Sequence, residues 1–309
     1  MPALILHHYE TSPFSEKMRL VLGLKNLPWY SVTVPVMLPK PDVIALTGGY
    51  RRTPFLQIEA DIYCDTALMC QVVDALHPTP PLYPQAMAGL ADIVAQWADT
   101  SLFWIAVPYT IQPVSMPHMF ANAPPSFMRA FAADRAAMTP NMKRATLPDA
   151  AAQLQTYLAR LESMLSGGQA FLLGNDPSIA DFSTAQSIWF MRRSPPIAAM
   201  LDAYPNLIAW FSRVTAFGHG TATEMTSAAA IETAASSSGY ALTTIEPGSP
   251  FAPGDPVTVT PTDYAHDPVA GELVGLTNNE VVLERTDERA GTVHVHFPRV
   301  GYQINTSEA

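Results

Sequence analysis

The chain has 309 residues, 48% of them hydrophobic, enough to bury more than one sizeable core. Its 17 Lys and Arg against 27 Asp and Glu leave a formal charge of −10, which argues against a nucleic-acid partner, because phosphate binding needs a basic face. The first residues, Met1-Pro2-Ala3-Leu4-Ile5-Leu6, lack the basic start of a secretory leader, and no apolar run approaches the ~20 residues of a membrane helix.

In chain order, residues 3–9 form an apolar strand and 15–25 carry helical spacing through Met18, Val21 and Leu22. Residues 29–36 are rich in β-branched side chains, and 42–46 make a short helical turn closed by Gly48-Gly49. Residues 51–66 read as two short strands turning at Ala60-Asp61, with Pro54 entering the first and Asp65-Thr66 ending the second. A helix follows over 67–76, where an Asp or Thr at the junction caps the free N–H groups. The order βαβαββα predicts an α/β domain around a central sheet. His7 and His8 alternate across the first strand and read as packed histidines. Cys64 and Cys70, the only cysteines, are too few for a disulfide framework or a zinc site. Both read as buried thiols in a reducing compartment.

The proline-rich stretch 77–84 is a stiff connector. Helical patterns then fill residues 87–110, 126–138, 148–165, 178–191, 206–217 and 224–235. Ser178-Ile179-Ala180-Asp181 has the form of a capping box, in which hydroxyl and carboxylate satisfy each other's backbone N–H. After Ser236-Ser237-Ser238-Gly239, short alternating runs at 256–260, 272–276, 280–285 and 292–297 predict a small all-β barrel or curled sheet.

The chemistry concentrates at Ser12-Pro13-Phe14-Ser15-Glu16-Lys17-Met18-Arg19-Leu20, where strand one enters helix one. A helix N-terminus carries about half a positive charge and stabilises a thiolate. A redox motif would place cysteine first. Serine there suits a thiol that belongs to the ligand.

X-Pro, hairpin, acid-hydroxyl and helix, together with Ser-Pro-Phe followed by Lys-x-Arg-Leu, resemble the serine-type glutathione transferases. The capping box after Phe171-Leu172-Leu173-Gly174 is similar to the one in the family's helical domain, where its role is folding. The resemblance covers about 235 of the 309 residues. It implies a thioredoxin-like glutathione-binding domain over 1–77 and an all-helical domain over 85–237. The small β-rich module over 240–309 departs from the family pattern, and covering the active-site mouth or extending a dimer interface are its two expected roles.

The resemblance further implies that Ser12 activates the glutathione thiol, with Tyr9 and Ser15 as alternatives. Thr53, before a cis Pro54, pairs with the peptide main chain. Asp65 and Thr66 take its γ-glutamyl end, while Arg52 and Lys40 take its glycyl carboxylate. Phe103, Trp104, Tyr109 and Phe120, with Met116, Met119 and Phe127 beside them, are expected to line an acceptor site for a small hydrophobic electrophile. The implied protein is a cytoplasmic homodimeric detoxification transferase using glutathione as co-substrate, with no metal and no membrane partner. Two alternatives stay open. One is a glutathione-dependent isomerase, dehalogenase or ether-cleaving enzyme, and the other a non-catalytic binding or assembly protein.

Overall fold

The apolar start of the chain forms β1 (Ile5–His8), buried along its whole length, and helix α1 (Pro13–Leu24) follows across a tight turn. The protein is described here by a computed structural model covering residues 2–306. Ser12 N-caps α1, and Pro13 stands at its first position, where a missing N–H costs nothing. Next come β2 (Pro28–Thr33), α2 (Pro41–Thr47), β3 (Phe55–Ile58), β4 (Asp61–Cys64) and α3 (Thr66–Leu76), in the expected order. β1 pairs parallel with β2 and antiparallel with β3, and β3 pairs antiparallel with β4. This is the thioredoxin-like sheet.

The connector is held rather than loose. The buried Lys25 ammonium reaches the Asp74 carboxylate and the carbonyls of His77 and Pro80. Beyond it lie α4 (Ala88–Trp97), a π-helical turn at Ala98–Leu102, and α5 (Phe103–Thr110). The short α6 (Met116–Met119), then α7 (Pro125–Met138), α8 (Leu147–Leu165), α9 (Ile179–Arg192), the short α10 (Pro195–Ala198) and α11 (Pro205–Thr215) complete the helical layer. Asp181 on α9 accepts the Ser178 N–H at 2.9 Å, the Leu172 N–H at 2.9 Å and the Trp210 indole N–H at 2.7 Å. The capping carboxylate thus also anchors α11, a structural role as expected. Cys64 and Cys70 are buried free thiols, in keeping with the packing reading.

Two later elements return to the sheet. β5 (Thr221–Glu224) pairs parallel with β2, and α12 (Ser227–Ser236) packs beside α2, so this alanine-rich helix leaves the helical layer. Gly23 on α1 permits the approach, since a Cβ there would collide with the Gly218 carbonyl. The β module contains β6 (Pro256–Pro261), β7 (Val269–Leu276), β8 (Glu280–Asp287), β9 (Gly291–Pro298) and β10 (Tyr302–Thr306). Its strands form an antiparallel curl ordered β10-β6-β7-β8-β9. β9 then pairs parallel with β4, giving one ten-stranded sheet, β10-β6-β7-β8-β9-β4-β3-β1-β2-β5.

The two sheet faces bury separate cores. Leu6, Leu56 and Tyr63 pack toward α1, α3 and the helical layer. Ile5, Phe55 and Ile62 face the other way and share a core with Val293, Val295 and Phe297 of β9. The β module is therefore part of the N-terminal domain's hydrophobic interior. Exposing a buried aliphatic or aromatic side chain costs about 1.5–3 kcal/mol, so uncovering several exceeds a typical total stability of about 5–15 kcal/mol. A chain truncated after residue 239 is expected to be insoluble or unfolded by circular dichroism. A soluble truncation with native melting behaviour would contradict the shared core.

His7 and His8 are both buried. The His7 Nε2–H donates to Gln57 Oε1 at 2.8 Å, and Gln57 in turn donates to the carbonyls of Glu59 and Ala230. His8 Nε2 pairs with the Ser31 hydroxyl at 3.0 Å, and its Nδ1 faces Arg19 at 3.1 Å. Burial pushes the His7 pKa down to about 4, and burial together with Arg19 does the same for His8. Both rings stay neutral in the fold but are protonated in the unfolded chain below its ordinary value near 6.5. Stability from these groups is complete above pH ~6.5 and is lost as pH falls toward 4, by on the order of 3 kcal/mol for each ring. In urea titrations, the midpoint of the wild type should fall more steeply between pH 7 and 4.5 than that of His7→Gln. Parallel slopes would show that His7 does not carry this dependence.

Candidate functional site

Ser12 closes the turn between β1 and α1. Its Oγ accepts the Ser15 N–H at 3.2 Å, and its hydroxyl lies 3.5 Å from the Thr53 carbonyl oxygen, the one acceptor toward which it points. The Thr53–Pro54 peptide is cis. Ser12, Tyr9 and Thr53 all border a cavity of about 1180 Å³ between the thioredoxin-like sheet and α5, α6 and α7. Ser15 does not, and its hydroxyl is buried without a partner. Two of the three candidate thiol-activating residues therefore reach the cavity.

Above Ser12 the wall is basic. The Lys40 Nζ donates to the Arg51 carbonyl at 3.2 Å and to Thr53 Oγ1 at 3.1 Å. Burial, then the charges of Arg135 and Arg51, lower its pKa to about 8, with Asp134 opposing. Asp134 accepts from Arg51 at 2.5 Å and lies 3.3 Å from Arg135, tying α7 to the loop before β3. Arg144 and Arg193 add two more guanidinium groups, while among the described residues no Asp or Glu lines the cavity.

The residues expected to take the γ-glutamyl end already have partners within the protein. Pro54, Asp65 and Thr66 do not line the cavity. The Thr66 hydroxyl is buried and accepts from Lys17 Nζ at 3.2 Å. Lys17 also binds Asp99 at 2.7 Å, and Ser183 and Gln186 complete that carboxylate. Burial opposes the Lys17 charge most strongly, but Asp99 together with Cys70 and Asp65 more than offsets it and raises the ammonium pKa. Thr66 thus serves the junction between the two layers. Asp65, with φ 74°, caps α3 by accepting the Ala67 N–H at 2.9 Å, and its other oxygen accepts the Tyr302 hydroxyl at 3.0 Å.

Arg52 is likewise taken up by the β module. Its guanidinium binds Asp263 and the Tyr264 carbonyl and lies 3.8 Å from the centre of the Tyr264 ring. Arg52 borders the cavity, but its guanidinium is engaged by Asp263 and Tyr264, while Lys40 and Arg51 stand on the same wall. The reason is the sheet topology: β10 and the loop after β6 bring Tyr302, Asp263 and Tyr264 over these positions.

The remaining walls are apolar. Phe103, Trp104, Met116, Met119, Phe120 and Phe127 line the cavity. Tyr109 does not; it packs against the main helical core. Sequence reasoning missed Phe14, Phe131, Phe190 and Tyr264, all on the wall. Phe14 lies inside the helix-one motif and packs at a tilt against Phe103 with ring centres 4.7 Å apart, so its neighbours could have flagged it. Tyr264 could not be placed without the fold. It meets Trp104 edge-on at 5.0 Å across the cavity mouth.

Comparison with known proteins supports the same frame. Residues 6–81 match the family profile described as glutathione S-transferase, N-terminal domain, and residues 131–213 match glutathione S-transferase, C-terminal domain. The crystal structure of a GST-like protein from Pseudomonas syringae superposes with a TM-score of 0.83 at 43% identity, covering 99% of this chain and 100% of that one. The fold alone is shared with the β-etherase LigF from Sphingobium sp. strain SYK-6, at a TM-score of 0.52 and 17% identity over 69% of this chain and 95% of that one. A curated relative, pyrimidodiazepine synthase from Drosophila melanogaster, is 27% identical over 84 residues, or 26% of this chain. The matched segment spans about a third of that relative's length, 34%. From the two matched profiles and the full-length likeness, the chain belongs to the glutathione transferase family.

Proposed function

We propose that the protein is a glutathione-dependent transferase in which Ser12 activates the thiol for attack on a small hydrophobic electrophile. The observation that carries this reading is the position of Ser12. It stands at the N-terminus of α1, beside the Thr53 main chain, on the floor of a cavity whose far walls are aromatic. The free thiol has a pKa of about 8.5 and is mostly protonated at pH 7. The Ser12 proton, now 3.5 Å from Thr53 O, turns to the sulfur, and the helix terminus adds its partial charge. Each unit by which the thiol pKa falls corresponds to about 1.4 kcal/mol. The thiol proton passes to solvent, the thiolate lone pair forms the S–C bond, and the leaving group departs with the electrons of the bond it breaks.

In this reading Lys40, with Arg51, takes the glycyl carboxylate. The γ-glutamyl ammonium takes the Asp65 carboxylate, which lies outside the cavity lining, in place of the Tyr302 hydroxyl. Displacement of halide, opening of an ether or isomerisation through the same thiolate are variants that differ only in the acceptor.

A second reading follows from the engaged γ-glutamyl end. With Asp65 and Arg52 held by the β module and the wall carrying Lys40, Arg51, Arg135, Arg144 and Arg193, the cavity suits an apolar anion bound without glutathione. That would make the chain a non-catalytic binding protein.

Binding to immobilised glutathione, followed by a chlorodinitrobenzene assay, separates the two. The transferase reading expects retention on the resin and a fall in kcat/KM of about 10²–10³-fold in Ser12→Ala, comparable to loss of a key polarising donor. No retention, with tight binding of a long-chain carboxylate instead, would favour the second reading. Full activity in Ser12→Ala would move the role to Tyr9. Tyr302→Phe removes the hydroxyl that competes for Asp65, so its KM for glutathione should fall several-fold at unchanged kcat. An unchanged or raised KM would mean that Asp65 is not a glutathione contact.

A further inference from the structure

The ladder between β9 and β4 brings together a set of groups that the cavity does not use. His294 and His296 lie two residues apart on one face of β9, opposite Val293 and Val295, and the parallel register sets Asp61 beside His294. His296 Nε2 is 2.8 Å from Asp61 Oδ1, and His294 Nδ1 is 3.9 Å from the same oxygen. The three atoms all lie within 4.8 Å of one another, and all three residues are buried. His294 Nδ1 is a buried nitrogen with no hydrogen-bond partner.

The outer atoms of the set are occupied in a particular way. His296 Nδ1 pairs with Glu280 Oε1 at 2.7 Å, and His294 Nε2 pairs with Glu284 Oε2 at 3.2 Å. Asp61 Oδ2 accepts the Ala241 N–H at 2.8 Å. Tyr240 stacks on His294 with ring centres 4.0 Å apart and donates its hydroxyl to the Thr292 carbonyl, closing the site from outside.

We propose that Asp61 Oδ1, His294 Nδ1 and His296 Nε2 bind one divalent transition ion of the zinc type, which clips β4 to β9. Two imidazole nitrogens and one carboxylate oxygen are the donor set of such ions. Tetrahedral bonds of about 2.0–2.2 Å require donor atoms roughly 3.3 Å apart, and the separations of 2.8 and 3.9 Å straddle that value. Metal-bound histidines characteristically give their other nitrogen to a carboxylate, as both do here. Ligation releases the proton shared by His296 Nε2 and Asp61 Oδ1 to solvent, and the orphaned His294 Nδ1 gains its partner. A water completes the fourth position. None of these residues borders the Ser12 cavity, so the ion holds the fold and takes no part in thiol chemistry. The cysteine count argues against a zinc site and the family resemblance implies no metal, but this donor set needs no cysteine.

The full-length chain, stripped with EDTA, should bind one Co²⁺ with the visible ligand-field bands of a four-coordinate ion. One Zn²⁺ should displace it, and each metal should raise Tm. His294→Gln should abolish the bands. Glu284→Gln, whose side chain is partly exposed, should keep the circular dichroism of the wild type and weaken binding about 10–100-fold. The proposal is overturned if the wild type shows neither bands nor a Tm change with millimolar metal. It is equally overturned if Glu284→Gln and His294→Gln bind as tightly as the wild type.

Discussion

Three residues of β4 hydrogen-bonded to three residues of β9 determine how the rest of this molecule is arranged. An exposed parallel edge on a thioredoxin-like sheet would leave a row of unpaired N–H and C=O groups. Here that edge is covered by a strand from the far end of the chain, and the coverage is apolar as well as polar. The alternation along β9 sends Val293, Val295 and Phe297 into the core shared with β1, β3 and α2, and sends His294 and His296 to the other face. One register therefore fixes both the second core and the histidine–carboxylate cluster. A shift by one residue would exchange the two faces.

The same register explains the site. With β9 seated, β10 and the loop after β6 lie above the junction of β4 and α3, where Asp65 turns the chain. Tyr302 and Arg52 then join a polar set with Asp65, Asp263 and Tyr264, and Arg52 and Tyr264 of that set border the cavity that also holds Ser12 and Lys40. Below this level, the buried Lys17–Asp99 pair joins α1 to the π-helical turn of the helical layer, with Thr66 as a third partner. Removing one member would strand a buried charge, so the pair sets how the two layers meet more than it adds to stability.

Features legible in the sequence were local. The helix-one motif, the hairpin at 51–66 and the capping box each need only neighbours within about ten residues, and each forms where expected. The destination of the β module was not legible, because nothing in residues 292–297 distinguishes a strand that closes a separate barrel from one that pairs with β4. β5 escaped notice because Thr221-Ala222-Thr223-Glu224 is exposed along its length and shows no apolar alternation. Asp65 and Thr66 stood out as an acid and a hydroxyl at a helix start. Their partners, Tyr302 and Lys17, come from elements that local pattern cannot place. His294 and His296 looked like ordinary strand residues because Asp61, which gives them meaning, is 235 positions from His296.

That separation also has a temporal side. During synthesis at about 5–20 residues per second, β4 emerges roughly 10–50 s before β9. Throughout that interval the N-terminal sheet has a bare edge and an uncovered apolar face, and the loop that must close to join them is long. The nascent chain therefore resembles an aggregation-prone intermediate until its last strands are made. The docking of β9, rather than formation of the thioredoxin-like unit, is then the step that commits the molecule to its native state.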